Sequence, residues 1–218
     1  MQNKPFNDMM SIFKTQKHKF LVITLLFTIV SFAQRDTNKW KAQIALGLNS
    51  PSQSGFVEGF ESKPMNFPTI NAGFQRMFKP QFGAKLDFGF NRFTNGNDSP
   101  TFKINYTRIN AQFVYDPTTY LSFLPEQMGL VAHAGPGYSM VKPLGNYTNN
   151  NVSFLNMMAG LEVHYGLSQY MSLYTDVSYI LGLGGSFDPI TEGFGSFSGN
   201  LLTITFGITF SLSGCQYC

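Results

Sequence analysis

The chain has 218 residues, of which 16% are Phe, Trp or Tyr and only 12% are charged. Soluble domains carry about 25% charged residues. The mean hydropathy is nevertheless close to zero, at −0.05. Alternating apolar and polar residues give such a mean, and this composition suits a sheet with one face in lipid and the other in a polar lumen.

The formal net charge of +3 comes entirely from the first 33 residues, which contain Lys4, Lys14, Lys17 and Lys19 against Asp8. The remainder of the chain is therefore balanced. It has no basic patch of the kind that nucleic-acid binding requires, so nucleic acid is not expected as a partner.

Residues 1–33 have the pattern of a signal peptide. Lys14, Lys17 and Lys19 precede an uncharged, mostly apolar run at 20–32, and Ala33 ends the segment with a small residue. A transmembrane anchor is the alternative, but the run is shorter than the roughly 20 residues that span a bilayer. We expect export and cleavage near Ala33, which leaves 34–212 as the mature domain.

Eight later segments alternate with period two, which predicts β-strands. The clearest places Phe82, Ala84 and Leu86 opposite Gly83 and Lys85. In the fourth segment the phase slips near Thr107 and Arg108, which predicts a β-bulge or a misplaced strand end. The segments cover residues 40–49, 67–77, 82–91, 102–115, 128–140, 152–165, 171–181 and 202–212.

Three features favour a membrane barrel over a soluble one. The apolar faces extend over the 9–11 residues that a tilted spanning strand needs. The opposite faces carry Gly, Asn, Thr and isolated charges, which suit a wet lumen. Aromatic residues also mark the strand ends, as in interfacial girdles: Trp40, Phe67, Phe82, Phe93, Phe102, Tyr115, Tyr165 and Phe210.

The connections alternate in length, as expected of outer loops and periplasmic turns. Residues 78–81 and 166–169 form short links. Residues 116–127 break the pattern, and Leu121, Phe123 and Leu124 predict a short interfacial helix there. Pro136 is an awkward residue for the paired interior of the fifth strand. The long links are 50–66, 94–101, 141–151 and 184–198.

With these features, the chain resembles the OmpA/OmpX-like outer-membrane barrels, in a form familiar from Bacteroidetes. The residues that carry the resemblance are 40–49 (WKAQIALGLN), 71–78 (NAGFQRMF) and 82–91 (FGAKLDFGFN). The resemblance covers about residues 38–212 and implies an all-β, eight-stranded antiparallel up-and-down transmembrane β-barrel. Only the tail 213–218 follows, so the peptidoglycan-binding domain of the full-length relatives is not expected.

The last strand looks like the insertion signal that the barrel-assembly machinery reads. Thr205, Gly207, Phe210 and Leu212 occupy its polar, glycine and two hydrophobic positions. Partners expected on this basis are that machinery during biogenesis, the outer-membrane lipid and an outer-membrane protein.

The charged residues on the polar faces form the first candidate site. The interior of an eight-stranded barrel is filled by side chains, and buried charges there must pair. We expect a structural salt-bridge network, with a proton or ion pathway as the alternative. Its members are Lys41, Lys85, Asp87, Arg108, Glu162 and Asp176.

An enzyme is not expected. His133 and His164 are the residues on which a lipid-modifying activity would depend, but both lie at the wrong depth for an outer-leaflet substrate, and no serine is clearly aligned with Glu162 and His164. Cys215 and Cys218 lack the helix start of a redox motif. No metal or cofactor is expected either.

Aromatic residues in the loops form the second candidate site. Exposed rings there could contact a partner protein or glycan; alternatively, they pack on one another or lie at the lipid headgroups. These residues are Phe56, Phe60, Phe187, Phe194 and Phe197. The expected function is therefore a non-enzymatic barrel for envelope integrity or a subunit of an outer-membrane complex, with a small pore as the alternative.

Overall fold

The computed structural model describes residues 40–168, 170–183 and 193–212. The chain has two units, Met1–Thr37 and Asn38–Cys218, and every described residue belongs to the second. The expected signal peptide with its cleavage site at Ala33, the tail with Cys215 and Cys218, and Phe187 all lie outside the described residues.

Eight antiparallel strands close into one barrel, so the expected up-and-down fold is confirmed. Each strand pairs with its neighbours in sequence, and the last strand pairs with the first. The strands are β1 (Trp40–Pro51), β2 (Asn66–Met77), β3 (Phe82–Thr94), β4 (Lys103–Tyr115), β5 (Met128–Leu144), β6 (Val152–Ser168), β7 (Met171–Leu183) and β8 (Leu201–Ser211).

The two ends of the barrel differ in their connections. We call the end where β2 joins β3 and β6 joins β7 the turn end, and the opposite end the loop end. Short 3-10 helices occupy three connections: Gln53–Gly55, Thr118–Tyr120 and Gly145–Tyr147. The second of these lies in the segment where a short helix was expected, and it ends before Leu121. Among the described residues, no helix is long and apolar enough to cross a membrane.

The strands are staggered around the barrel. A path through directly paired residues that starts at Trp40 of β1 crosses all eight strands and returns to β1 at Ser50, ten residues further along. Such a stagger requires the strands to tilt against the barrel axis, and in an eight-stranded barrel side chains fill the interior.

Side chains alternate between the lumen and an apolar outer wall, as period two requires. In β8, Thr203 and Thr205 are buried inside, whereas Ile204 and Phe206 are 45% and 63% exposed on the wall. In most strands, the alternation in the sequence therefore predicts correctly which side chains face the lumen and which face outward.

The expected slip near Thr107 and Arg108 is wrong. Strand β4 pairs with β3 in continuous register, and Ile104 and Tyr106 point inward together with Arg108. The pattern seemed to slip because the lumen is apolar at the loop end. For the same reason Phe93 and Phe102, expected at the membrane interface, are buried inside at 0% and 3% exposure.

Pro136 is accommodated without a bulge. The register of β4 against β5 is the same before and after it, at Phe113 with Ala134 and at Asn110 with Gly137. On its other side Pro136 pairs with Met157 of β6. The pairing with β4 therefore lapses at Gly135 and Pro136 and resumes in the same register.

Gly207 lies at the seam where β8 meets β1. A Cβ atom built at this position would overlap the backbone oxygen of Ile44 and lie 2.7 Å from the ring of Tyr174. No side chain fits there without displacing backbone, so the closing ladder requires glycine at this point.

We therefore predict that Gly207→Val prevents the barrel from closing. The fraction of refolded protein that migrates as a compact, heat-modifiable band in gel electrophoresis should fall several-fold. Ile204→Val, which removes a methylene from the outer wall of the same strand, is the matched control and should refold like the unmodified chain. Normal refolding of Gly207→Val would contradict this view of the seam.

Candidate functional site

A buried polar network fills the middle of the barrel, and Glu162 of β6 lies at its centre. Lys85 Nζ donates to Glu162 Oε1 at 2.5 Å. Gln43 Nε2 donates to Oε2 at 2.9 Å, and His164 Nε2 donates to the same oxygen at 2.7 Å. Glu162 is fully buried, and these bonds distribute its charge over groups from three strands.

A second carboxylate, Asp176 of β7, is joined to the first through a histidine. His133 Nε2 lies 3.1 Å from Asp176 Oδ1 and 3.9 Å from Glu162 Oε1. Ser178 Oγ donates to both carboxylate oxygens of Asp176, at 2.8 and 2.9 Å. His133 and His164 were expected to lie at different depths of the barrel. Both are nevertheless members of this one network.

The third carboxylate, Asp87, forms an ion pair with Arg108. Arg108 also donates to the side-chain oxygens of Asn71 at 3.1 Å and Asn110 at 3.2 Å. Gly89 makes room for this arginine, because a Cβ atom there would lie 2.6 Å from the guanidinium carbon. A buried arginine that keeps several partners is the arrangement that buried charge requires.

Neutral groups extend the network from Arg108 towards the loop end. Asn110 Nδ2 donates to Asn156 Oδ1 at 2.5 Å, and Asn156 Nδ2 donates to Ser139 Oγ at 2.8 Å. The Tyr106 hydroxyl lies 2.6 Å from the same serine oxygen. Sequence reasoning overlooked these residues because it searched for charge, although all of them occupy inward positions of their strands.

All six residues proposed as lumen charges are buried inside the barrel: Lys41, Lys85, Asp87, Arg108, Glu162 and Asp176. The ion pairs join Lys85 to Glu162 and Arg108 to Asp87. This arrangement suits a structural role, because each of these four charged groups has an opposite charge within hydrogen-bonding distance.

The loop end of the lumen is closed by apolar side chains, which we call the loop-end cluster. Phe56 and Phe197 enter it from the loops, with ring centroids 4.9 Å apart. Phe197 also packs edge-on against Phe93 at 5.1 Å. The cluster consists of Phe56, Phe60, Phe93, Phe102, Ile104, Tyr106, Val141, Phe154, Met158, Ile180, Phe197 and Leu201.

This packing agrees with the alternative in which the loop phenylalanines pack on one another. Phe56, Phe60 and Phe197 are 9%, 8% and 0% exposed, because they fill the barrel mouth and pack on one another. Phe194 is 39% exposed and touches Phe60, with centroids 5.7 Å apart. Of the candidate phenylalanines that the structure describes, only Phe194 has an exposed side chain.

A serine does align with the Glu162–His164 pair, contrary to expectation. Ser172 Oγ of β7 lies 3.4 Å from His164 Nδ1. Ser172 is only 4% exposed, and His164 is stacked on Tyr174 with centroids 5.3 Å apart. The Ser172 hydroxyl lies inside the packed lumen, and these surroundings support a structural hydrogen bond to His164.

Two depressions lie on the barrel wall. One, of about 520 Å³, is floored by Ala132, Ala134 and Ala159. The other, of about 570 Å³, is bordered by Trp40 and Arg76 near the turn end. In the part of the chain that the structure describes, no group of three or more His, Cys, Asp and Glu side chains is arranged to hold a metal ion.

Similar folds occur among solved structures, whereas no family model and no curated protein matches the sequence. Neisserial surface protein A is 11% identical, with a TM-score of 0.54 over 80% of this chain and 97% of that one. A major outer membrane protein from Thermus thermophilus is 10% identical, with a TM-score of 0.55 over 81% of this chain and 100% of that one. At these identities the likeness establishes a shared eight-stranded barrel fold.

We predict that Glu162→Gln strongly destabilises the barrel. The change leaves Lys85 buried without its closest anion, and breaking a buried pair costs about 3–5 kcal/mol. Urea unfolding in detergent micelles, followed by the fluorescence of the single tryptophan, Trp40, measures the effect.

Two further variants test the reason for the loss. Lys85→Met combined with Glu162→Gln removes both charges and should recover part of the lost stability, because no unpaired ammonium remains. Asp98→Asn, on an exposed loop residue, should change stability by less than about 0.5 kcal/mol. A barrel that tolerates Glu162→Gln as well as it tolerates Asp98→Asn would contradict a stabilising network.

Proposed function

We propose that this chain is a non-enzymatic outer-membrane β-barrel that supports envelope integrity or serves as a subunit of an outer-membrane complex. It is exported through its signal peptide, cleaved near Ala33, and spans the membrane with the loop end outside. The closed fold, the apolar wall and the packed lumen support this proposal.

The apolar outer wall is the observation that carries the proposal. Soluble monomers rarely expose contiguous apolar patches larger than a few hundred Å². Here every strand carries large apolar residues on its outward face, among them Leu46, Phe88, Phe113, Leu161 and Phe206, each at least 49% exposed. A closed barrel satisfies its backbone without water, so this surface suits hydrocarbon.

The similar outer membrane protein of Thermus thermophilus supports the same location. The proposed insertion signal also has a suitable exposed side: Phe210 and Leu212 are 45% and 65% exposed. Both hydrophobic positions are therefore exposed at the end of the closed barrel where β8 finishes.

Fractionation tests the proposed location. The processed chain should sediment with outer membranes, resist extraction by carbonate or urea, and require detergent for release. Mass spectrometry of the mature N-terminus should find Gln34 as the first residue. Recovery of the processed chain as a monomer in the aqueous fraction would contradict the proposal.

A small pore is the second candidate function, and the loop-end cluster argues against it. We predict no stable conductance for the unmodified chain in planar bilayers. Replacing both Phe56 and Phe197 by alanine should produce conductance steps, because it removes two rings from the packed mouth. Phe206→Ala, on the outer wall, is the matched control and should stay closed. Stable steps from the unmodified chain would favour the pore.

Photo-crosslinking tests the proposed role as a subunit. A photoreactive amino acid at Phe194, the exposed loop ring, should form a discrete crosslinked product in intact cells. The same group at Phe197, which is fully buried, should form none. Equal crosslinking at both positions would contradict recognition through the exposed loop surface.

A further inference from the structure

The carboxylates of the eight described strands all lie on one face of the sheet, whereas cations occupy both faces. Every Asp and Glu within these strands points into the lumen: Asp87, Glu162 and Asp176. The outward positions carry charges of one sign only, at Arg76, Arg92, Lys103 and Lys142. The outer wall that these strands form is therefore apolar and cationic, without a strand carboxylate.

Three of these four cations lie together at the loop end, on the adjacent strands β3, β4 and β5. Arg92 is directly paired with Asn105, and Asn105 is directly paired with Lys142. Lys103, two residues before Asn105, lies on the same face. We call Arg92, Lys103 and Lys142 the cationic patch.

The patch has a partly fixed geometry. Arg92 Nε donates to Asn105 Oδ1 at 2.9 Å, and its guanidinium carbon lies 5.6 Å from the centre of the Phe90 ring. Lys103 and Lys142 are exposed. Arg92 is therefore held against the wall, while the two ammonium groups remain accessible.

No carboxylate of the described ranges compensates the patch. Within those ranges, no Asp or Glu oxygen lies within 4.0 Å of a side-chain nitrogen of Arg92, Lys103 or Lys142. Lys103 is the diagonal neighbour of both Arg92 and Lys142, so these like charges repel one another. An external anion would remove this repulsion, and at the edge of a hydrocarbon layer the anions at hand are lipid phosphates.

The spacing of the patch favours a headgroup with more than one phosphate. Arg92 and Lys142 are two strand spacings apart, or about 10 Å. This is a separation between backbones, so the three long side chains cover a broad strip, and separate phosphates of one headgroup can each contact a cation. Below the patch the wall is apolar at Phe88 and Tyr138, which are 49% and 47% exposed.

We propose that the outer wall of β3–β5 binds a bisphosphorylated glycolipid of the lipid A type. Its phosphates contact the cationic patch, and its acyl chains lie along the apolar wall beneath. The inference rests on the proposed function, because the loop end must face the leaflet that contains such lipids.

Binding of purified bisphosphorylated lipid A to the refolded full chain in detergent micelles tests the patch. Replacing Arg92, Lys103 and Lys142 together by glutamine should weaken binding at least about tenfold, because it removes the charge-assisted hydrogen bonds. Arg76→Gln removes a wall cation at the turn end and should leave binding within about twofold. Unchanged affinity of the triple variant would overturn the inference.

Other lipids test the identity of the occupant. Monophosphorylated lipid A, cardiolipin and phosphatidylglycerol should each bind the unmodified chain several-fold more weakly than the bisphosphorylated form. Inorganic phosphate at millimolar concentration should not displace it. Equal binding of cardiolipin, or displacement by inorganic phosphate, would overturn the assignment to a lipid A-type headgroup.

A separate readout distinguishes failure of this inference from failure of the proposed function. Heat-modifiable migration should show that the triple variant folds, and labelling of a cysteine placed at Gly59 in whole cells should show that the loop end faces outward. If the triple variant folds, has its loop end outside and binds lipid A with unchanged affinity, only the inference is defeated. A loop end that cannot be labelled in intact cells defeats the proposed orientation.

Discussion

Closure of the sheet is the constraint on which the rest of this structure depends. A strand at an open edge leaves a row of backbone N–H and C=O groups without partners. Here β8 pairs with β1 along eleven residue positions, from Lys41 to Pro51, and no edge remains among the eight described strands. Gly207 permits the close approach at this seam. Once the ring is closed, the direction of each strand side chain is fixed as inward or outward.

The same closure determines the chemistry of the interior. Eight strands enclose a space that side chains fill, so carboxylates from different strands cannot stay apart. Glu162 and Asp176 are linked through His133, and Asp87 is paired with Arg108. Above them, the loop-end cluster excludes polar groups from the barrel mouth. The interior thus resembles a protein core with a polar centre, which favours a rigid scaffold over a conduit.

A scaffold with a packed lumen can interact only through its wall and its connections. In the described strands, the wall combines apolar residues with unpaired cations, whereas the lumen balances its three strand carboxylates with Lys41, Lys85 and Arg108. Phe194 is the loop phenylalanine that remains exposed in the described region. These two surfaces, the cationic patch and the exposed loop ring, are where specificity for lipid and partner would reside.

The sequence by itself determined the number of strands, their antiparallel order and the face of most side chains, because period two is a local property of each strand. It also identified the buried charges, from their inward positions. Only the tertiary structure decided which charges meet, that His133 joins two carboxylates, and that Phe56 and Phe197 close the mouth. Those contacts join residues far apart in the chain, and they depend on the stagger of the closed ring, which no single strand encodes.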